Sequence, residues 1–142
     1  MRSLVRTSFE PLRAGKPLRL FRSYHSEYKD GGQKRDFVYV DDCVDVILWM
    51  LDNPVPSDLY NVGSGQARTW LDLGRAMFAA LNKSQLVEFI DMPRQLIDRY
   101  QYFTQADISK LRAVGFTQPM TSIEEGVRAY VAWLEHETEM GE

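Results

Sequence analysis

Apolar residues recur at helical spacing along much of the chain, and short apolar or alternating runs separate the helical stretches. Leu4, Val5, Phe9 and Leu12 define one face of a helix from about Ser3 to Arg13, closed by Gly15 as a C′ residue. No cap is evident before these residues, so the opening reads as the middle of a helix and suggests a piece of a longer chain. Leu18 to Phe21 reads as a short strand, and polar His25 to Gln33, with Gly31-Gly32, as a loop. Phe37 to Val40 alternates as a strand does, and Asp41 or Asp42 is placed to cap a helix from Asp42 to Leu51. Val46, Ile47, Met50 and Leu51 form that helix's apolar face, and Pro54 and Pro56 end it. Leu59 to Val62 reads as a strand stopped by Gly63-Ser64-Gly65. Thr69 caps a helix from Trp70 to Leu81, with Asp72 in the capping-box position. A strand from Leu86 to Ile90 follows, then short helices at about Arg94–Arg99 and Asp107–Ala113, the second closed by Gly115. Ser122 caps a last helix through Glu135, with Glu125 at the box position and Ile123, Val127, Tyr130, Val131 and Leu134 inward. Strands alternate with helices and nothing repeats, so the pattern predicts an α/β fold with a small sheet, in one domain over residues 1–142.

Composition changes this picture little. The chain is long enough for one sizeable core, and 44% apolar with 26% charged residues is the balance of a folding chain. A net charge of -3 without a basic block argues against a nucleic-acid partner. One cysteine, Cys43, rules out a disulfide framework, fits a reducing compartment and reads as a small buried hydrophobe. The run Val46 to Leu51 is too short to cross a bilayer.

Candidate chemistry lies in three stretches. Lys34 to Asp42 puts Arg35 at the entrance of the expected Phe37–Val40 strand, where a planar five-donor guanidinium could grip a phosphate. The plainer alternative is a surface Arg35–Asp36 ion pair with no such role. Leu18 to Tyr24 runs from a strand into Phe21, Arg22, Ser23 and Tyr24: a ring, a cation, a hydroxyl and a second ring. Arg99 to Asp107 carries Tyr100, Tyr102 and Phe103 among hydrogen-bonding residues. Rings beside such groups suit a sugar nucleotide, which needs a stacking plane, diphosphate donors and hydroxyl partners. For Phe103 a core position is expected; for Tyr100 both readings stand. His25 and His136 are far apart, with no carboxylate or cysteine at ligand spacing, so no metal site is expected. Gly63-Ser64-Gly65 lacks the third glycine of a dinucleotide loop and the Lys-Ser/Thr of a P-loop, and reads as a tight turn.

The stretch Arg35 to Asp42, followed by Leu59-Tyr60-Asn61-Val62-Gly63-Ser64-Gly65, resembles the C-terminal part of extended short-chain dehydrogenase/reductases acting on nucleotide sugars. Arg99 to Asp107, Leu111-Arg112-Ala113, Gly115 and the ending Glu125-Gly126-Val127, Tyr130, Trp133-Leu134 narrow the resemblance to the ADP-heptose 6-epimerase family of lipopolysaccharide inner-core synthesis. That resemblance implies an isomerase that uses NADP in a Rossmann domain with a glycine-rich loop, a Tyr-x-x-x-Lys motif and a further lysine just ahead of the region matching Met1. None of these motifs occurs in the chain, so it implies the substrate-binding half without a catalytic residue, inactive by itself. It further implies substrate-binding roles for Phe21, Arg22, Ser23, Tyr24, Arg35 and Tyr100, with ADP-heptose as ligand, a cytoplasmic location and a homo-oligomeric whole protein. Another nucleotide-sugar epimerase or 4,6-dehydratase, and a non-catalytic sugar-nucleotide-binding module, are the alternatives.

Overall fold

The computed structural model describes residues 3–140. Helix α1 (Leu4–Arg13) opens it, and Ser3 is its N-cap: the Ser3 hydroxyl accepts from the Arg6 N–H. The expectation of an uncapped start is therefore corrected. Gly15, at φ +75°, closes α1 in a Schellman arrangement, with Lys16 N–H donating to Pro11 C=O and Gly15 N–H to Leu12 C=O. Strand β1 (Leu18–Phe21) follows and pairs in parallel with β4 (Val87–Ile90). Between them lie β2 (Lys34–Asp36), α2 (Val40–Asp52), β3 (Ala67–Thr69) and α3 (Trp70–Ala80). The chain then forms short α4 (Arg94–Ile97) and α5 (Ser109–Ala113), and the long α6 (Ile123–Met140).

The fold is α/β, as the pattern predicts, but its strands form two separate two-stranded sheets. β1 and β4 make one; β2 and β3 make an antiparallel second, with Arg35 opposite Arg68. The main core lies where α1, α3 and α6 meet β1, around Phe9, Leu12, Leu18, Met77, Val131 and Leu134. A satellite core of Val46, Leu111 and Phe116 joins α2 to α5.

Four expected features differ. Phe37 to Tyr39 is not a strand: β2 ends at Asp36, and α2 begins at Val40 with Tyr39 as an N-cap lacking a side-chain bond. The ring of Tyr39 is seated instead against Gly126 of α6, where an added Cβ would lie 3.2 Å from it. Neither Asp41 nor Asp42 caps α2, because Asp42 is buried and accepts from the N–H and hydroxyl of Thr121 at 2.9 and 2.6 Å. That tie fixes α2 to the approach of α6. Leu59 to Val62 is irregular, and Leu59 is exposed. The pairing strand falls later, at Ala67–Thr69. Finally, Ile47 and Leu51 point out of α2, at 59% and 75% exposure, and of that expected apolar face Val46 alone is buried.

Candidate functional site

β1 and β4 end side by side, so the residues after Phe21 and Ile90 emerge at one edge. The loop that follows β1 is well tied. Ser23 N–H donates to Asp30 at 2.7 Å, and the Ser23 hydroxyl and His25 backbone bond each other. Gly31, at φ +70°, lies against Leu71 and Phe89, and an added Cβ would come within 2.8 Å of Leu71. Only glycine meets both demands.

Arg35 lies within β2, not at a strand entrance. Its backbone neighbours are held on both sides: β3 pairs with it, and Lys34 exchanges backbone bonds with Tyr102 and Thr104. Arg35 and Asp36 do not pair with each other. The Asp36 carboxylate accepts from Ser64 N–H and hydroxyl at 2.7 and 2.6 Å, and from Gly65 and Ala106 N–H at 3.0 and 2.9 Å. Glu124 and Asp72 go to Arg68 across the strand pair, at 2.6 and 3.5 Å. Arg35 thus has no carboxylate within ion-pair distance among the described residues. Its guanidinium lies 5.2 Å from the Tyr100 ring centroid and donates to the Lys34 carbonyl. A cation held on a ring, with most of its donors free, is equipped to take an anionic group.

Tyr100 is the hub of the aromatic surface. Phe21 meets its ring edge-on at 6.4 Å, Tyr102 at 5.2 Å, and the Trp70 indole N–H donates to its hydroxyl at 3.0 Å. Burial raises the Tyr100 phenol above its ordinary pKa, against the opposing pull of Arg35 and Trp70. The hydroxyl therefore stays neutral at physiological pH, accepting from Trp70 and keeping a proton to donate.

Of the six residues expected at a site, the structure brings Phe21, Arg35 and Tyr100 into one contact group. The other three turn to the loop and its acids. Arg22 lies between Asp30 and Asp91, 3.6 Å from each. The Ser23 hydroxyl is engaged by His25. Tyr24 donates to Asp91 at 3.2 Å while its N–H reaches the Tyr102 hydroxyl; desolvation, then Asp91, raises its phenol. Phe103, expected in the core, is 52% exposed; the stretch from Arg99 to Ile108 alternates, with Tyr100 and Tyr102 inward. The sequence pattern names Tyr102 among the rings of this stretch without giving it a role, and passes over Trp70. The two-residue step from Tyr100 was the signal for Tyr102; nothing in the sequence marked Trp70 as its partner.

The Gly63-Ser64-Gly65 turn is no phosphate cradle, because the N–H groups of Ser64 and Gly65 are taken by Asp36. That turn therefore offers no fit for the diphosphate of a dinucleotide. Two clefts lie away from the aromatic group: one of about 310 Å³ between Phe37, Arg68 and Thr121, another of about 640 Å³ along Phe103 to Ser109. Neither contains Arg35, Tyr100 or Phe21. Among the described residues Arg35 and Tyr100 join a cation outside ion-pair distance of any carboxylate to a tyrosine hydroxyl with a proton to donate, whereas Arg112, which lines both clefts, donates to the Phe116 and Gln118 carbonyls.

Residues 2–63 match the NAD dependent epimerase/dehydratase family. Over 131 residues the chain is 47% identical to an ADP-L-glycero-D-manno-heptose-6-epimerase of Nitratidesulfovibrio vulgaris, covering 92% of this chain and 41% of that protein. It is 46% identical over 137 residues to the same-named protein of Fusobacterium nucleatum, with the same coverage. The chain therefore spans about two fifths of these relatives' length. Among solved structures it resembles a Bacillus cereus UDP-glucuronic acid 4-epimerase bound to a fluorinated UDP-sugar and NAD, with TM-score 0.76 and 24% identity over 94% of this chain and 40% of that one. It also resembles epimerase Mth375 of Methanothermobacter thermautotrophicus, with TM-score 0.79 and 18% identity over 98% and 39%. These two likenesses establish the fold.

Proposed function

We propose that the chain belongs to the NAD-dependent epimerase/dehydratase family and is the substrate-binding portion of an ADP-glyceromanno-heptose 6-epimerase. The reaction of the whole protein is interconversion of the D-glycero and L-glycero forms of ADP-heptose, for lipopolysaccharide inner-core synthesis in the cytoplasm. NADP is the cofactor in this reading, held by a portion of the protein outside these 142 residues. The observation that carries it is Arg35, a cation without an ion-paired carboxylate among the described residues, laid on Tyr100 beside Phe21. A diphosphate offers paired oxygens to the guanidinium fork, and the Tyr100 hydroxyl has a proton to give a neighbouring oxygen. Phe21 and Tyr102 supply apolar ring surface, and the Phe21–Tyr24 segment forms the wall beside it.

A thermal-shift screen with ADP-heptose, UDP-glucose and dTDP-glucose tests this reading. ADP-heptose should raise the melting temperature of the chain most. A larger shift with UDP- or dTDP-glucose would point to another nucleotide-sugar epimerase or 4,6-dehydratase, and no shift would remove the binding role. In an epimerase assay with ADP-heptose and NADP, the 142-residue polypeptide, purified from a host lacking the endogenous enzyme, should read background. Equal binding by a chain that no cofactor-binding portion can activate would favour a non-catalytic module.

A further inference from the structure

Gln33 stands between all parts of the candidate site and is 1% exposed. Its Nε2 lies 3.3 Å from the Phe21 carbonyl and 3.4 Å from that of Arg22. Two carbonyl oxygens at this end of the amide require a donor, so Nε2 faces them and Oε1 faces away. The Gln33 backbone carbonyl accepts from the Trp70 N–H at 3.2 Å, and the Trp70 indole holds the Tyr100 hydroxyl. The next residues, Lys34 and Arg35, begin β2. One side chain and its own backbone thus tie the Phe21–Arg22 segment, the Arg35 strand and the support of Tyr100.

The same residue carries an energetic anomaly. Gln33 Oε1 is buried and has no hydrogen-bond partner among the described residues. A buried acceptor left unpaired is costly, and an apolar side chain of the same shape would avoid that cost. Core packing alone does not favour glutamine here. What glutamine alone supplies is the donor on the carbonyls of Phe21 and Arg22.

We propose that Gln33 is a positioning residue of the nucleotide-sugar site, holding the Phe21–Tyr24 segment at a fixed distance from Arg35 and Tyr100. The proposal rests on the binding role given above to those residues. Gln33 reaches the ligand only through the backbone it holds.

Gln33→Met tests it, because methionine keeps the length of the side chain and removes both donor and orphan acceptor. The melting temperature of the variant should stay close to that of the parent chain, since the orphan acceptor is gone while the Phe21 and Arg22 carbonyls lose their donor. Amide hydrogen exchange at Arg22, Ser23 and Tyr24 should quicken, with the α3 and α6 amides unchanged. Calorimetric affinity for ADP-heptose should fall by about tenfold or more, the equivalent of one lost hydrogen bond of ordinary to charged strength. Unchanged exchange at residues 22–24 would overturn the proposal, with or without ligand. So would unchanged affinity, or a fall in melting temperature that accounts for the lost affinity. A parent chain without affinity for ADP-heptose sinks the binding role but not the tie, which the exchange data judge separately.

Discussion

At the scale of single residues, two neighbours in β2 have opposite fates. Asp36 is a structural staple: its four acceptor contacts hold β2 to the Gly63–Gly65 turn and to Ala106. In Asp36→Asn the amide nitrogen must face at least one N–H donor, so the variant should lose about 2–3 kcal/mol in denaturant unfolding. A loss below about 0.5 kcal/mol would mean the staple is dispensable. Arg35 has no such structural duty. Lysine cannot reproduce its fork or its stacking on Tyr100, so Arg35→Lys should weaken ADP-heptose binding by about 1.5–3 kcal/mol while the melting temperature barely moves. Unchanged affinity would leave Arg35 as a surface residue only. Arg35 stood out in the sequence because a guanidinium beside a strand-forming run can grip a phosphate. Its separation from Asp36 was not legible there, because the donors that take Asp36 lie 28 to 70 residues further along the chain.

At the scale of elements, local signals were read well and tertiary ones poorly. Thr69, Asp72 and the following periodicity located α3, and the full capping box is present: Asp72 N–H donates to the Thr69 hydroxyl and Thr69 N–H to the Asp72 carboxylate. Ser122 and Glu125 likewise marked the start of α6. Such boxes involve residues three apart, so the sequence contains all their parts. Phe37 to Tyr39 has strand-forming residues, yet burial of Asp42 on Thr121 and packing of the Tyr39 ring against Gly126 draw that stretch into the entry of α2. Both partners are remote, and local propensity gave way. The pairing of β1 with β4 spans the same kind of distance. The capping box also predicts a pH response. Burial alone would raise the Asp72 carboxyl, but bonds from Thr69 and the charge of Arg68 hold it below the usual carboxylate range; the Arg68 hydrogen bond lowers Glu124 too. Groups depressed in the folded state stabilise it above their unfolded pKa, and that contribution is lost as pH falls through the folded value. Stability should thus be flat from neutral pH down to the ordinary carboxylate range and decline below it. Thr69→Ala should cost about 1 kcal/mol at neutral pH and shrink that acid-dependent part. Urea unfolding at neutral and acid pH measures both, and an identical acid slope in the variant would contradict the assignment.

At the scale of the molecule, the feature no local pattern foretold is the outer face of α2. Val40, Val44, Ile47, Leu48 and Leu51 follow helical spacing and are all exposed, so of the face read from the sequence Val46 and Met50 turn to the satellite core while Ile47 and Leu51 belong to an outward stripe. The 142-residue chain should therefore bind a hydrophobic dye and self-associate as its concentration rises, and Ile47→Lys with Leu51→Lys should reduce both without loss of melting temperature. A parent chain that sediments as a clean monomer and binds no dye would refute this. Where a nucleotide sugar is held is read most directly by residue-resolved NMR titration with ADP-heptose. Saturable shifts should centre on Phe21 to Tyr24, Arg35, Trp70 and Tyr100. Shifts centred on the Arg68–Thr121 cleft or along Phe103 to Ser109, or no shifts at all, would contradict this placement.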